Sequence, residues 1–506
     1  MTKRILLTGN SLTIDQVVSV ARDAAQVGLA AGSRGSMKRS REWVERAVRE
    51  HAIVYGVTTG FGAFQNVFIR NDRLRELQRN LILSHCAGVG EPFAEEVVRA
   101  MLLLRANALA CGHSGIRIST VERLLDMLNR GVHPVVPSQG SVGSSGDLAP
   151  LSHAAAVLIG EGEAVYKGKR MPGKKALQAA GIQPVVLEAK EGLALNNGTQ
   201  AMTAVGALAV HDALRLADIA DIAAALSVEA VKGKSTPFAE KALATRPHAG
   251  QGHSARNIRA MISGSRLVDR VDHDTREKVQ DSYSIRCAPQ VHGASRDAID
   301  YVTRVVETEI NSATDNPLIF PGTNESFSVG NLHGQPVALA MDFLGLAVAE
   351  LGNISERRTA KLLDRHHNCG LPAFLAGDGG LESGLMIEQY TAAALVSENK
   401  VLIHPASGDS IPTSANQEDH VSMGTIAARH AREIVRNVEH VLAIELHCAC
   451  EALGFRTDRP GKGTRKAVDK VRHSVDRLAG DRVLSGDIET IVQLIRSNAF
   501  AGVLED

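Results

Sequence analysis

Residues 422–453 read SMGTIAARHAREIVRNVEHVLAIELHCACEAL. Within them Ile426, His430, Ile434, Val438, Val441 and Glu445 recur at steps of three and four, the spacing that gathers side chains on one face of an α-helix. A helix of this length exceeds the ~11-residue average severalfold and reads as one stave of a bundle. Outward from it, similar Ala-, Leu- and Val-rich patterns occupy residues 390–403, Gln335–Leu363 and 203–231. Their small side chains permit close helix packing. Before residue 205 the texture is mixed. Helical spacing covers 13–26 and Glu95–Ala110, the latter with Val97, Met101, Leu104 and Ala108 on one face, and a hairpin is expected over 163–171 with Gly168 and Lys169 as its turn. The expectation is a mainly α protein: an N-terminal mixed domain over 1–205, then a long-helix bundle over 206–506 ending in a helical tail, the bundle pattern weakening near 455.

Composition narrows the function classes. The 506 residues carry 56 Lys+Arg against 56 Asp+Glu, so the net charge is zero, without the basic footprint of a nucleic-acid or membrane-surface binder. Aromatics at 3% supply no base-stacking platform. Six cysteines without a CxxC pair are no disulfide framework and suit a reducing compartment. The apolar run near the start, Ile5–Leu7, is too short for a signal peptide, and the greasiest regions are interrupted by Asp218 and Asp221 or by Asp342 and Glu350. A cytoplasmic protein is expected. His366-His367, and His447 with Cys448 and Cys450, lack the spacing of a metal site, so no metal is expected.

Residues 131–146, GVHPVVPSQGSVGSSG, hold two prolines, four glycines and four serines, a composition that excludes helix. The segment Gly140-Ser-Val-Gly-Ser-Ser-Gly146-Asp-Leu-Ala-Pro-Leu151 is no phosphate loop, no dinucleotide fingerprint and no GxSxG elbow. By composition it reads as a surface turn. A chemical reading also exists. A glycine nitrogen, unobstructed by a Cβ, can attack the carbonyl two residues earlier, and an intervening serine can then lose water. Here the ring would use the Ser144 carbonyl carbon, Ser145 and the Gly146 nitrogen, giving 4-methylideneimidazol-5-one (MIO), an electrophile made from the chain itself.

Taken with that loop, a series of blocks resembles one known family. They are Tyr55-Gly-Val-Thr-Thr-Gly-Phe-Gly62, Ser84-His-Cys-Ala-Gly-Val-Gly90, Leu195-Asn-Asn-Gly-Thr-Gln200, Gln280-Asp-Ser-Tyr-Ser-Ile-Arg286, Asp315-Asn-Pro-Leu318, Gly330-Asn-Leu-His333 and Thr413-Ser-Ala-Asn-Gln-Glu-Asp-His420. In this order they resemble the MIO-dependent aromatic amino-acid lyases and aminomutases, most closely the histidine ammonia-lyases, from about residue 12 to 453.

The resemblance implies roles. Ser144, Ser145 and Gly146 would form the MIO, with no external cofactor. Tyr55 would take the β-proton, for which a phenol of ordinary pKa ~10 needs an electropositive setting. Arg286 would clamp the substrate carboxylate. Tyr283, Gln280 and Asn197 would line the MIO and the substrate's amine and carboxylate; Asn331 and Asn316 lie in matching blocks. Glu418 occupies the place where histidine-specific members carry a glutamate near the substrate. Taken singly, Gln280 and Asn197 are more often cap or turn residues, and the cluster around Glu418 fits an N-terminal helix cap better. The two residues facing the substrate ring are Ser84-His85, as in histidine-selective members. A small serine leaves space, and a histidine can hydrogen-bond a polar ring and so penalise apolar ones.

The expected reaction is L-histidine to trans-urocanate plus ammonia. The alternative is a tyrosine or phenylalanine ammonia-lyase or an aromatic 2,3-aminomutase of the same family. The resemblance also implies an amino-acid substrate and a homotetramer with active sites shared between subunits. Three departures stand out: Ser144 replaces the usual alanine, Leu332 a frequent phenylalanine beside the substrate ring, and Thr58 a frequent asparagine.

Overall fold

The computed structural model describes residues 4–269 and 279–504. The chain packs as two compact units: Met1–His211, Val302–Asp342 and Pro405–His430 form the first, and Asp212–Tyr301, Phe343–His404 and Ala431–Asp506 the second. The sequence interval 1–205 thus lies within the first unit, which also draws in two later segments.

The first unit is built on Glu95–Ala110, whose bounds match the sequence pattern. The pattern marks one apolar face, yet every residue from Val97 to Ala110 is buried. Two arginines are tolerated inside because backbone carbonyls accept hydrogen bonds from their N–H groups. Arg99 donates to the carbonyls of Val20 and Leu128 at 2.7 and 3.3 Å. Arg105 donates to Ala194 and Thr314 carbonyls, both at 2.8 Å, and to Gln200 Oε1 at 2.9 Å. Helices Leu74–His85, Leu148–Leu158 and Glu191–Asn196 pack together nearby. A satellite core joins Trp43, Val44, Ala47, Val57, Leu74, Ala189 and Ile319.

Strands here are three or four residues long. Ile5–Leu7 pairs in parallel with Val27–Leu29. The helix expected over 13–26 is therefore Ile14–Arg22 alone: Thr13 and Gln16 form a capping box, and the chain then leaves to become a strand. The hairpin is Glu163–Tyr166 against Lys169–Pro172, so its turn is Lys167-Gly168, one residue earlier than expected. Both turn residues have positive φ (49° and 73°), as a two-residue hairpin requires.

The long helices run Gln200–Ala230, Ala288–Glu309, Gln335–Leu363 and Gly424–Gly454, with a shorter one, Met386–Leu402. In the second unit they enclose a polar chain. Arg358 and Glu445 are fully buried and paired, with Nη2 2.8 Å from Oε2. Ser227 also donates to Glu445, and Arg358 reaches His292 Nε2 at 3.2 Å. His292 Nδ1 lies 2.7 Å from Asp221, which Arg296 and Asn257 also hold. Glu445, placed by the sequence pattern on the apolar face, is thus a buried carboxylate with a guanidinium partner. Among the described residues one helix, Gln335–Leu363, is long and apolar enough to cross a membrane, but 72% of its most apolar window is buried within the protein.

Candidate active site

The Gly/Ser loop is no surface turn. Its polar groups are taken by three other segments of the first unit. Asp147 accepts from Ser141 Oγ (2.7 Å), the Met202 amide (2.8 Å) and Thr425 Oγ1, while its own amide donates to the Gly198 carbonyl at 2.7 Å. Burial pushes the Asp147 carboxyl up, opposed by these donors. The Gly143 carbonyl accepts from the Gly334 amide (3.0 Å) and Ser422 Oγ (2.9 Å), and the Met423 amide donates to Val142. Gly146 has φ +69°, and a Cβ there would lie 2.2 Å from the Gly198 oxygen. The loop is clamped so closely that only glycine fits at 146.

The clamped loop presents Ser144 and Ser145 to one carboxylate. Ser144 Oγ donates to Glu418 Oε2 at 2.6 Å and Ser145 Oγ to Oε1 at 2.8 Å. Thr413 Oγ1 donates to Oε2 at 3.0 Å, and the backbones of Thr413 and Glu418 pair across a turn. From the other side Asn197 Nδ2 donates to the Ser145 carbonyl at 2.8 Å. Asn197 ends helix Glu191–Asn196, which Arg105 anchors through Ala194.

Tyr55 sits in a turn that Thr58 ties by accepting from the Val54 amide (3.0 Å) and donating to the Ala52 carbonyl (2.7 Å). Its hydroxyl oxygen accepts from the Gly62 amide at 3.3 Å. Burial pushes the phenol up; the Gly62 N–H opposes this and the charge of Glu418 adds to it. The electropositive setting expected for Tyr55 is therefore not supplied here. Ser84 and His85 close helix Leu74–His85, with Ser84 Oγ donating to the Leu81 carbonyl and lying 3.1 Å from His85 Nδ1. Burial pushes His85 down, countered by the Leu81 carbonyl and Glu418. Ser84 Oγ, its own proton committed to the Leu81 carbonyl, acts as acceptor towards Nδ1, which keeps the proton there and leaves Nε2 an acceptor.

Two cavities, of about 640 and 350 Å³, share Tyr55, Gly62, Ser145, Asn316, Leu332 and Glu418. Ser84, His85 and Asn197 line the larger and Ser144 the smaller. Both fall in the size range of small-molecule sites. No lysine or arginine occurs among the described residues that line them.

The profile of the family described as aromatic amino acid lyase matches residues 12–473. The chain belongs to the aromatic amino acid lyase family. It is a carbon–nitrogen lyase, and its long-helix architecture is that of its solved family relatives. It is 54% identical to a histidine ammonia-lyase of Alkaliphilus oremlandii over 99% of both chains, and 54% identical to one of Caldanaerobacter subterraneus over 100% and 99%. Among solved structures, histidine ammonia-lyase from Trypanosoma cruzi superposes with a TM-score of 0.92 at 44% identity, covering 99% of this chain and 95% of that one. Tyrosine aminomutase from Streptomyces globisporus gives 0.94 at 40%, covering 99% and 98%.

Within this lyase, the first unit gathers Tyr55, Ser84, His85, Ser144, Ser145, Gly146, Asn197, Leu332 and Glu418. Asn331 is exposed and outside both linings, where its neighbour Leu332 stands. Gln280, Tyr283 and Arg286 belong to the second unit: Gln280 is exposed, and the Arg286 guanidinium lies 4.5 Å from the ring centroid of Tyr283, itself 71% exposed. Sequence reading passed over Asn80 and gave no role to Thr413, His333 and His420, all lining residues. Asn80 stands one turn before Ser84 on the same helix face, a spacing that could have revealed it.

Proposed function

We propose that this lyase is a histidine ammonia-lyase converting L-histidine to trans-urocanate and ammonia, with Ser144, Ser145 and Gly146 condensed into MIO and four copies assembled around shared sites. The observation that carries the reading is the meeting of Ser145, His85 and Glu418 on one cavity: a serine at the point of ring closure, and two polar groups suited to an imidazole. The residues fit the group. Gly146 is pressed against Gly198 where a side chain has no room, and Asn197 donates to the Ser145 carbonyl that would belong to the ring. When formed, the group supplies an electrophilic carbon that captures the substrate amine and makes it a better leaving group.

The chain's own residues do the rest. His85 Nε2 accepts one N–H of the substrate ring and Glu418 accepts the other, so the pair holds the ring as imidazolium. Together they reject phenyl and phenol side chains, which would leave buried polar groups unpaired. Tyr55 takes the β-proton as its phenolate, and Tyr283 stands ready to share in proton transfer. That phenolate and the substrate carboxylate both need positive charge, which the cavity linings lack. Arg286 supplies it, with Gln280 and Tyr283, from a neighbouring copy, and Asn197 and Asn331 orient the amine and carboxylate. The relatives named histidine ammonia-lyase, at 54% identity over nearly their whole length, support this substrate.

The test is a substrate panel joined to intact-mass measurement. The purified chain should weigh two waters less than its sequence, and a Ser145→Ala variant should show no such loss. Incubation with L-histidine should give urocanate, read by its ultraviolet absorbance. Coumarate, cinnamate or a β-amino acid from tyrosine or phenylalanine, with histidine untouched, refutes the assignment at Ser84-His85 in favour of the tyrosine or phenylalanine ammonia-lyase or aminomutase alternative.

A further inference from the structure

Three hydroxyls hold the Glu418 carboxylate, and they differ in what becomes of them. Oε2 accepts from Ser144 Oγ at 2.6 Å and Thr413 Oγ1 at 3.0 Å; Oε1 accepts from Ser145 Oγ at 2.8 Å. On the reading above, on which this inference rests, ring closure joins the Gly146 nitrogen to the Ser144 carbonyl carbon. That carbonyl oxygen leaves as water with the amide protons of Ser145 and Gly146. The Ser145 hydroxyl leaves as a second water with its α-proton, so no oxidant or reductant is involved. The Ser144 side chain is untouched. Maturation therefore strips Oε1 of its donor while Oε2 keeps both.

We propose that Ser144 is a positioning residue for substrate recognition: it pins Glu418 through Oε2 so that the vacated Oε1 faces the site and accepts from the substrate imidazole. Glutamate is long and rotamer-rich, so a fixed acceptor needs such fastening. The anchorage has a stiff base. Ser144 is buried, and the turn from Thr413 to Glu418 carries three successive non-glycine residues at positive φ: Ser414 (52°), Ala415 (53°) and Asn416 (65°). Alanine, which the resembling family usually has at 144, would leave Thr413 as the only hydroxyl on Oε2.

Ser144→Ala should still mature, losing two waters by intact mass. Its KM for L-histidine should rise about five- to tenfold, the loss of one charge-assisted hydrogen bond in a partly hydrated site, with kcat within about twofold. Ser144→Thr, which keeps the hydroxyl, should restore KM. Calorimetric binding of histidine to Ser145→Ala, which cannot form the exocyclic methylene, should weaken by a similar factor when Ser144→Ala is added. In a Glu418→Gln background the same substitution should change nothing further. An unchanged KM in mature Ser144→Ala overturns the inference and leaves the activity standing. So does failure of that variant to lose two waters, which would place the hydroxyl in cyclisation, and so does an equal extra loss in Glu418→Gln. A wild-type chain of full, uncondensed mass overturns the functional reading itself.

Discussion

Gly146 and Gly168 have nearly the same backbone geometry, φ +69° and +73°, in very different surroundings. At Gly168, the tip of the hairpin, an added Cβ meets nothing within 4 Å. At Gly146 it meets the Gly198 oxygen at 2.2 Å, its carbonyl carbon at 2.4 Å and its Cα at 2.8 Å, all backbone. Gly198 cannot retreat easily, because its own Cβ position is 2.1 Å from Arg105 Nη1 and its carbonyl holds the Asp147 amide. Gly168→Ala should cost only the left-handed strain, ~1–2 kcal/mol. Gly146→Ala should add an overpacking penalty of ~1–3 kcal/mol, for about 2–5 kcal/mol in all. At ~2 °C per kcal/mol for a unit of this size, scanning calorimetry should show a drop of ~2–4 °C for the hairpin variant and ~4–10 °C for the loop variant. Intact mass adds the chemical readout: Gly168→Ala should lose two waters like the wild type, and Gly146→Ala none. Equal melting shifts, with two waters lost from both, would refute the claim that close clamping of Gly146 underlies ring closure.

Glu418→Gln should lower kcat/KM for histidine by about 10- to 100-fold, as expected for losing a charged hydrogen-bond acceptor, measured by steady-state urocanate formation. Thr58→Ala leaves the Val54 amide and Ala52 carbonyl without that hydroxyl and should destabilise by ~1–2 kcal/mol, with kcat falling because Tyr55 rides on the same turn; an unchanged kcat would show that the turn does not position Tyr55. Because burial holds the Tyr55 phenol above its ordinary value, its deprotonated form grows as pH rises, so kcat/KM should climb from pH 7 towards pH 9 and a flat profile would remove Tyr55 as base. In the second unit burial pushes Asp221 up, but the His292 hydrogen bond and the Arg296 charge prevail and hold it at about 2. A depressed carboxyl contributes stability above its unfolded pKa of ~4 that is lost as pH falls through its folded value. Acid melting between pH 4 and 2 should therefore be steeper for the wild type than for Asp221→Asn.

Where the sequence was legible, one physical rule dominated locally. Glu95–Ala110 was found to the residue because helical spacing and burial agree there, and Gln335–Leu363 for the same reason. Ala31–Arg49 was missed because two glycines and a crowd of charges mask the helix that Met37, Trp43, Val44 and Ala47 bury. The helix expected over 13–26 stops at Arg22 because Val27–Leu29, just beyond it, pair as a strand with Ile5–Leu7, a contact no local pattern announces. At the site, motifs named the loop, the Ser84-His85 pair and Glu418. They did not disclose that Asp147 and Arg105 fasten the loop and Asn197, since a buried carboxylate or guanidinium acquires its role only from the backbone groups folded around it.

The charge inventory of the first unit carries the argument one step further. The proposed elimination puts a phenolate at Tyr55 and the substrate carboxylate in the same site, two negative charges beside Glu418. Yet burial and Glu418 both act against ionising Tyr55, and the described lining residues include Asp419 but no lysine or arginine. A carboxylate brought into such a cavity unpaired would carry a desolvation cost of several kcal/mol. The proposed elimination therefore calls for a cation from outside these linings, and among the blocks that resemble the family only 280–286 offers one, at Arg286. If neighbouring copies deliver it, Arg286→Lys should lower kcat/KM for histidine by at least tenfold, because an ammonium cannot reproduce the bidentate grip of a guanidinium on a carboxylate. Dilution below the assembly concentration should abolish turnover, with the lost activity tracking the loss of the assembled species in analytical ultracentrifugation. Full specific activity in a monodisperse single chain would show that the cation comes from within it.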